Sequence, residues 1–216
     1  MLVANEICKS YHQLMILNKI SLSIYAGEMV AIMGHSGAGK TTLLHLLSTL
    51  DKPDSGSVTM DGINLIGLKG SALAEFRNKN IGLVFQFHNL LPEFTLFENI
   101  CIPGYIGNFS KKEVEKKANE LLSLLGISHR KNYLPTDISG GERQRAAVAR
   151  ALVNNPSIIF ADEPSGSLDT KSAGVLHELF LELRRTLKQT FVFVTHNQSL
   201  ATIADRILLL QDGRLQ

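Results

Sequence analysis

The chain has 216 residues, of which 44% are hydrophobic and 19% are charged, and its formal net charge is +2. This length suits one α/β domain with a full hydrophobic core. The balanced charge, without a dense Lys/Arg cluster, argues against a nucleic-acid partner. No uncharged apolar run approaches the ~20 residues of a membrane-spanning helix. We therefore expect a single domain over residues 1–216 that stays out of the bilayer.

Strand and turn patterns fill the first third of the chain. The run Met-Val-Ala-Ile-Met at 29–33 is apolar on both faces, as a buried parallel strand requires. Leucines at helical spacing predict a helix over residues 40–50, and a turn at 51–56 ends it. Further strands are predicted over residues 2–7, 15–24, 57–60 and 81–85.

The middle third changes character, because residues 87–157 show helices and loops but no convincing strand. The pattern Ser110-Lys-Lys-Glu113 predicts a capped helix start, and Gly126 is suited to the end of the same helix.

Alternation of strands and helices returns in the last third of the chain. Short apolar strands are predicted at 158–161 and 191–195, with an amphipathic helix over 170–187 between them. This order is typical of a parallel sheet with an insertion. The predicted organisation is a core of residues 1–86 and 158–216 and a helical subdomain of residues 87–157.

A glycine-rich stretch after the strand at 29–33 has the spacing of a phosphate-binding P-loop. Its glycines allow backbone N–H groups to approach phosphates closely. Lys40 is expected to reach the terminal phosphates, and the Thr41 hydroxyl to ligate Mg²⁺. The predicted nucleoside triphosphate site consists of Gly34, His35, Ser36, Gly37, Ala38, Gly39, Lys40, Thr41 and Thr42.

Two carboxylates, Asp162 and Glu163, follow four apolar residues of a predicted strand. Asp162 suits the coordination shell of Mg²⁺, usually through water. Glu163 is one residue further on, so it points elsewhere and can accept a proton from an attacking water. Two solvated carboxylates at a strand end are the alternative interpretation, which the P-loop disfavours.

A second predicted helix start, at Ser139-Gly140-Gly141, also suits an anion. Free backbone N–H groups and the positive end of the helix dipole both favour negative charge there. One domain with two phosphate-facing ends and one P-loop suggests a nucleotide held between two copies of the chain.

On these motifs the chain resembles the ATP-binding-cassette (ABC) ATPases over its whole length. The motifs also stand in that family's order: Tyr11 at the adenine-stacking position, the P-loop, Gln86 at the Q-loop, Ser139-Gly140-Gly141-Glu142 at the signature, the acidic pair, Ser167-Leu168-Asp169 at the D-loop and His196 at the switch histidine. Ile138 stands where the family usually has Leu. The resemblance implies an α/β P-loop NTPase fold with a parallel core sheet, an antiparallel β subdomain and a helical insertion.

The resemblance also implies a role for each motif residue. His196 would contact the γ-phosphate and orient the attacking water together with Glu163, which makes these two the catalytic residues. Gln86 would sense Mg²⁺ and water and communicate with a membrane partner. Tyr11 would stack on adenine, although an aromatic residue near a strand end is often simply core. Asp169 would contact the second subunit and cap its own helix.

The assembly that the resemblance implies is a homodimer with ATP at its interface. Each P-loop would face Ser139, Gly140 and Gly141 of the other copy, and hydrolysis would open the dimer again. Two integral-membrane permease subunits are the further partners implied, and the location is peripheral, at the cytoplasmic face of the inner membrane.

An apolar stretch at residues 85–99 holds four phenylalanines and few charges, which indicates a partner surface. Burial under the chain's own helices would account for about half of them. The sequence of this stretch is similar to that of the lipoprotein-releasing branch of the family. Elsewhere, after the acidic pair, Ser165 and Ser167 stand where that branch usually has Thr and Asn. We expect a role in lipoprotein release. Export of macrolides or antimicrobial peptides and regulation of cell-wall enzymes during division are the alternatives.

Overall fold

Two β-sheets organise the fold. The computed structural model describes residues 1–216. Ten strands, β1 to β10, cover Leu2–Tyr11, Leu14–Ile24, Met29–Met33, Ser55–Met60, Ile63–Asn64, Ile81–Phe85, Ile158–Asp162, Thr190–Val194, Arg206–Gln211 and Arg214–Leu215. Seven α-helices, α1 to α7, cover Lys40–Leu47, Gly70–Asn80, Leu96–Ile106, Lys111–Leu124, Gly140–Leu152, Thr170–Leu187 and Gln198–Ala201. No helix combines the length and apolarity that crossing a bilayer requires.

The larger sheet has the order β10-β9-β3-β8-β7-β6, and all of its strand pairs are parallel except β9 with β10. The smaller sheet has the order β2-β1-β4-β5 and is antiparallel. Between β6 and β7 the chain forms only helices and loops, as predicted for residues 87–157. The predicted fold class, a parallel core sheet with an antiparallel sheet and a helical insertion, is therefore confirmed.

Two hydrophobic cores lie on the two faces of the parallel sheet. Successive strand residues point to opposite faces, so Ile159 and Ala161 pack with α3 to α6, while Ile158 and Phe160 pack with α1 and the antiparallel sheet. All four are fully buried. This explains why the central strands read as continuous apolar runs in the sequence.

Several boundaries differ from the sequence prediction. Helix α1 ends at Leu47 rather than residue 50, because Thr49 adopts a left-handed conformation with φ 62°. Strand β1 continues to Tyr11 instead of ending at residue 7, since its outer half pairs with β2 up to Leu14. Strand β4 begins at Ser55 because that residue pairs with Cys8.

The register of the parallel strands brings several loops to one edge of the sheet. Asp162 of β7 is aligned with Phe85 of β6 and Val194 of β8, and Val194 is aligned with Ile32 of β3. The segments that follow these residues therefore emerge side by side at the carboxyl edge. In open α/β sheets this edge is where ligands bind.

Candidate ATP-binding and hydrolysis site

The P-loop joins β3 to α1 at this edge. A Cβ at Gly34 would collide with the carbonyl oxygen of Leu210 in β9, so the position accepts only glycine. Gly39 has φ 99°, and a Cβ there would lie 2.9 Å from the Leu17 side chain. Lys40 Nζ donates to the carbonyl oxygens of Gly34 and His35 at 2.9 and 3.0 Å, which folds its side chain back over the loop.

The outer part of the loop is open to solvent. His35, Ser36 and Gly37 are exposed, Ala38 is buried, and Thr42 is partly buried. His35 Nε2 lies 3.4 Å from Asp212 Oδ1, so this side chain is directed toward the turn between β9 and β10.

The acidic pair lies beside the P-loop, as the sequence predicted. The Thr41 hydroxyl donates to Asp162 Oδ1 at 3.3 Å, which places a hydroxyl and a carboxylate next to each other. Burial raises the pKa of Asp162, and the nearby Glu163 charge adds to this effect, while the bond from Thr41 and the charges of His45 and Lys40 oppose it. A cation at this position would favour the ionised carboxylate.

The backbone of Glu163 is left-handed, with φ 45°. For a residue with a Cβ this conformation costs roughly 1 kcal/mol. Its Oε1 accepts the His196 N–H at 3.0 Å and lies 2.6 Å from His196 Nδ1. The two predicted catalytic residues are thus in direct contact, with His196 exposed and Glu163 mostly buried.

Thr195, to which no sequence motif assigns a role, is fully buried beside these residues. Its hydroxyl donates to Glu163 Oε2 at 3.0 Å and accepts the Asn197 N–H at 3.0 Å. Thr195 therefore fixes the second carboxylate oxygen of Glu163. Its position immediately before His196 was the only sequence signal for such a role.

Gln86 follows β6 and lies close to the loop after the acidic pair. Its carbonyl oxygen accepts the Ser167 hydroxyl at 3.0 Å, and a Cβ at Gly166 would lie 3.1 Å from Gln86 Nε2. Asp169 caps α6 through a 2.9 Å bond from the Ser172 N–H, as predicted. The serine at 167 thus connects the predicted D-loop to the predicted Q-loop.

Tyr11 ends β1 with 44% of its surface exposed. Its hydroxyl donates to Asp51 Oδ2 at 2.8 Å, and the same carboxylate oxygen lies 2.9 Å from Lys9 Nζ. The hydrogen bond to Asp51, together with burial, raises the pKa of Tyr11. The ring is therefore held by its hydroxyl end, and much of its surface remains open for a ligand to stack on.

Helix α5 begins with the signature residues. Ser139 is the N-cap and forms a reciprocal capping box with Glu142, so two N–H groups at this helix start are satisfied within the chain. Ser139 is exposed, whereas Gly141 is buried, and a Cβ there would lie 3.2 Å from Ser172 Oγ. No hydrogen bond or ion pair joins residues 138–145 to the P-loop of the same chain.

The apolar stretch at 85–99 is divided between surface and core. Phe87 is 77% exposed, and Leu91 and Phe94 are also exposed, while Leu96 is fully buried at the start of α3. The loop is fastened to α5, because Arg150 donates to the carbonyl oxygens of His88 and Asn89 at 2.8 and 2.6 Å. Gln144, which is buried, bonds both the His88 ring and the Phe85 carbonyl oxygen.

Comparisons with known proteins agree with this geometry. A family model described as ABC transporter matches residues 17–166. The chain is 52% identical over 216 residues to the lipoprotein-releasing system ATP-binding protein LolD of Bacteroides thetaiotaomicron, covering 100% of this chain and 99% of that protein. It is 51% identical over 212 residues to the protein of the same name from Cytophaga hutchinsonii, covering 98% and 97%.

A solved structure gives the same result for the fold. The dimeric, post-hydrolysis structure of the ATP-binding cassette MJ0796 bound to ADP and Pi is 37% identical to this chain, with a TM-score of 0.91, and covers 100% of this chain and 97% of that one. Both the sequence and the structural similarity therefore extend over essentially the whole molecule. The chain belongs to the ABC transporter family, as an ATP-binding and ATP-hydrolysing subunit.

Proposed function

We propose that this chain is the ATPase subunit of a transporter that releases lipoproteins from the inner membrane toward the outer membrane. The observation that carries the proposal is the identity of 51–52%, over nearly the full length of both chains, to lipoprotein-releasing ATP-binding proteins. The cluster of Glu163, His196 and Thr195 beside the P-loop supports the chemistry.

In the proposed reaction, water attacks the γ-phosphate of ATP and ADP leaves. The P-loop N–H groups and Lys40 would hold the phosphates and stabilise the charge that spreads over the transferred group. Glu163 would accept the proton of the attacking water, and its two fixed oxygens restrict where that water can lie. His196, exposed beside Glu163, would contact the γ-phosphate. Tyr11 would stack on the adenine.

Thr41 and Asp162 would hold Mg²⁺ together with the phosphates, and Gln86 would complete the set from the adjacent strand end. The residues present fit this ion, since oxygen donors dominate Mg²⁺ coordination and the Thr41 hydroxyl already lies 3.3 Å from Asp162. When bound, Mg²⁺ would neutralise charge on the phosphate oxygens.

The active form in this proposal is a homodimer that binds two ATP molecules at its interface. Ser139, Gly140 and Gly141 of one copy would face the γ-phosphate held by the P-loop of the other copy, and Asp169 would line the same interface. Two features support this arrangement. The exposed Ser139 makes no bond to the P-loop of its own chain, and the related cassette MJ0796 has a dimeric structure.

Two integral-membrane permease subunits would dock on the exposed residues Phe87, Leu91 and Phe94, at the cytoplasmic face of the inner membrane. We divide the chain, as the sequence suggested, into a nucleotide-binding core of residues 1–86 and 158–216 and a helical subdomain of residues 87–157. The docking residues lie at the junction between the two. Movement of the subdomain would therefore accompany changes at Gln86.

Depletion of the protein in its native bacterium tests the proposal. Mature lipoproteins should accumulate in the inner-membrane fraction, and wild-type protein but not the Glu163→Gln variant should restore their release. If lipoproteins still reach the outer membrane after depletion while the purified protein hydrolyses ATP, lipoprotein release is the wrong function. Export of macrolides or peptides and control of cell-wall enzymes would then be tested by drug sensitivity and by cell length.

A further inference from the structure

The hydroxyl proton of Ser139 already has an acceptor within the chain. Ser139 Oγ donates to Glu142 Oε2 at 2.7 Å and accepts the Glu142 N–H at 3.3 Å. The Ser139 N–H donates to the same Oε2 at 2.9 Å. A hydroxyl group has one proton to donate. Ser139 therefore cannot donate to a phosphate on a second copy until its bond to Glu142 is given up.

Glu142 also places a negative charge at this anion-facing helix start. It is the third residue of α5, within the first turn, so an ionised carboxylate there repels an incoming phosphate. The carboxylate is mostly buried, with 11% of its side-chain surface exposed. Unless a cation neutralises it, the same glutamate that caps the helix opposes binding at that helix.

Arg130 supplies this cation on the other carboxylate oxygen. Its Nε donates to Glu142 Oε1 at 2.8 Å, and His129 Nε2 lies 3.5 Å from the same oxygen. The Arg130 backbone is fixed by a 2.9 Å bond from its N–H to the Ile127 carbonyl oxygen. Its guanidinium group also lies 4.9 Å from the centre of the Tyr133 ring.

We propose that Arg130 is a positioning residue that allows Ser139 to bind the γ-phosphate of ATP held by a second copy of the chain. Arg130 holds Glu142 Oε1 in place and neutralises the charge of the carboxylate. Glu142 Oε2 then needs only the hydrogen bond from the Ser139 N–H. The Ser139 hydroxyl is then free to rotate and donate to the phosphate. This inference depends on the proposed dimer. It adds Arg130 and Glu142 as the residues that free the Ser139 hydroxyl for the phosphate.

The test measures dimer formation in a Glu163→Gln background, because we expect this variant to bind ATP but to hydrolyse it slowly. Sedimentation velocity at increasing protein concentration gives the dimer dissociation constant with ATP. Arg130→Met should weaken dimerisation about tenfold or more, since it removes a charge-assisted pair. Arg130→Lys should restore part of the affinity. Lys131→Met is the matched control, because Lys131 bonds Asn119 and does not contact Glu142.

Two further measurements separate positioning from folding. Binding of a fluorescent ATP analogue at protein concentrations below dimerisation should be unchanged in Arg130→Met, because Arg130 makes no bond to the P-loop. Adding Glu142→Gln to Arg130→Met should recover most of the dimer affinity, since glutamine keeps the cap without the charge.

The inference is overturned if Arg130→Met dimerises like its parent, or if Glu142→Gln does not rescue it. A Glu163→Gln parent that stays monomeric with ATP would instead contradict the proposed dimer itself, and the basis of the inference with it.

Discussion

Replacing Thr195 with valine removes one hydroxyl at almost constant shape and tests how Glu163 is held. The change deprives Glu163 Oε2 of its 3.0 Å donor and leaves the Asn197 N–H without its acceptor. An unsatisfied buried polar group costs about 1–3 kcal/mol of unfolding free energy. For a chain of this size, about 2 kcal/mol corresponds to a fall in Tm of roughly 4–8 °C.

The same variant should hydrolyse ATP more slowly without binding it less well. With Oε2 released, the Glu163 carboxylate can rotate away from the attacking water. We expect kcat to fall about tenfold, which is less than the roughly 10²- to 10⁴-fold contribution of a general base, because the base itself is retained. KM should stay within about twofold, because Thr195 makes no bond to the P-loop. Steady-state phosphate release at saturating and limiting ATP measures both constants.

Thr190→Val is the matched control at the other end of β8. Thr190 is also buried, and its hydroxyl oxygen accepts the Gly27 N–H at 2.9 Å, so the stability loss should be similar. Its kcat should remain that of the wild type. Thr195 does not position Glu163 if Thr195→Val keeps full kcat, or if Thr190→Val loses as much activity as Thr195→Val does.

Three further predictions concern the hydrophobic core, the signature residue Glu142 and the adenine-stacking residue Tyr11. Phe180→Ala should lower the unfolding free energy by about 3–5 kcal/mol in urea titrations. The reason is that Phe180 is fully buried, with its ring centre 4.9 and 5.2 Å from the ring centres of two other phenylalanines. An unchanged unfolding free energy would contradict that packing. Burial alone would raise the pKa of Glu142, but the bonds from Arg130 and Ser139 lower it to about 2. The ionised Glu142 should therefore stabilise the fold above pH 4.5, and this contribution should be lost as the pH falls toward 2. Glu142→Gln should remove that part of the pH dependence, and an unchanged acid profile would refute the pairing. Tyr11→Phe, which frees the ring from Asp51, should raise KM for ATP about two- to fivefold, and Tyr11→Ala should raise it more. An unchanged KM in Tyr11→Ala would exclude stacking.

Local pattern was sufficient for the elements whose sequence carries one dominant signal. The apolar run at β3 and the amphipathic run of α6 end where the sequence indicated, and the P-loop lies between strand and helix. Helix α2 could not be anticipated, because it buries only Leu73 and so lacks a clear apolar stripe. The outer half of β1 is held by its pairing with β2, which includes several register shifts, and does not follow from alternation of apolar and polar residues in β1 itself.

In the candidate site, too, sequence patterns identify motif residues but not the side-chain contacts that folding creates. Motif order identified Glu163 and His196, and the strand register brings them together. Thr195 and Arg130 belong to no motif that the sequence offered, and their contacts arise only from folding, across 32 and 12 residues of chain. Sequence also could not decide which apolar residues of the stretch at 85–99 face solvent. Phe87 is exposed in the loop after β6, whereas Leu96 is fully buried at the start of α3.

In the proposed dimer, ATP is bound between two copies, with the P-loop of one copy facing Ser139 of the other. Sedimentation velocity of Glu163→Gln with and without ATP, compared with the Glu163→Gln/Ser139→Arg double variant, tests it directly. We expect an ATP-dependent dimer for the first protein and a monomer for the second, although both should bind ATP through an intact P-loop. If ATP leaves both proteins monomeric, or dimerises both equally, ATP is not bound between the P-loop and Ser139 of two copies.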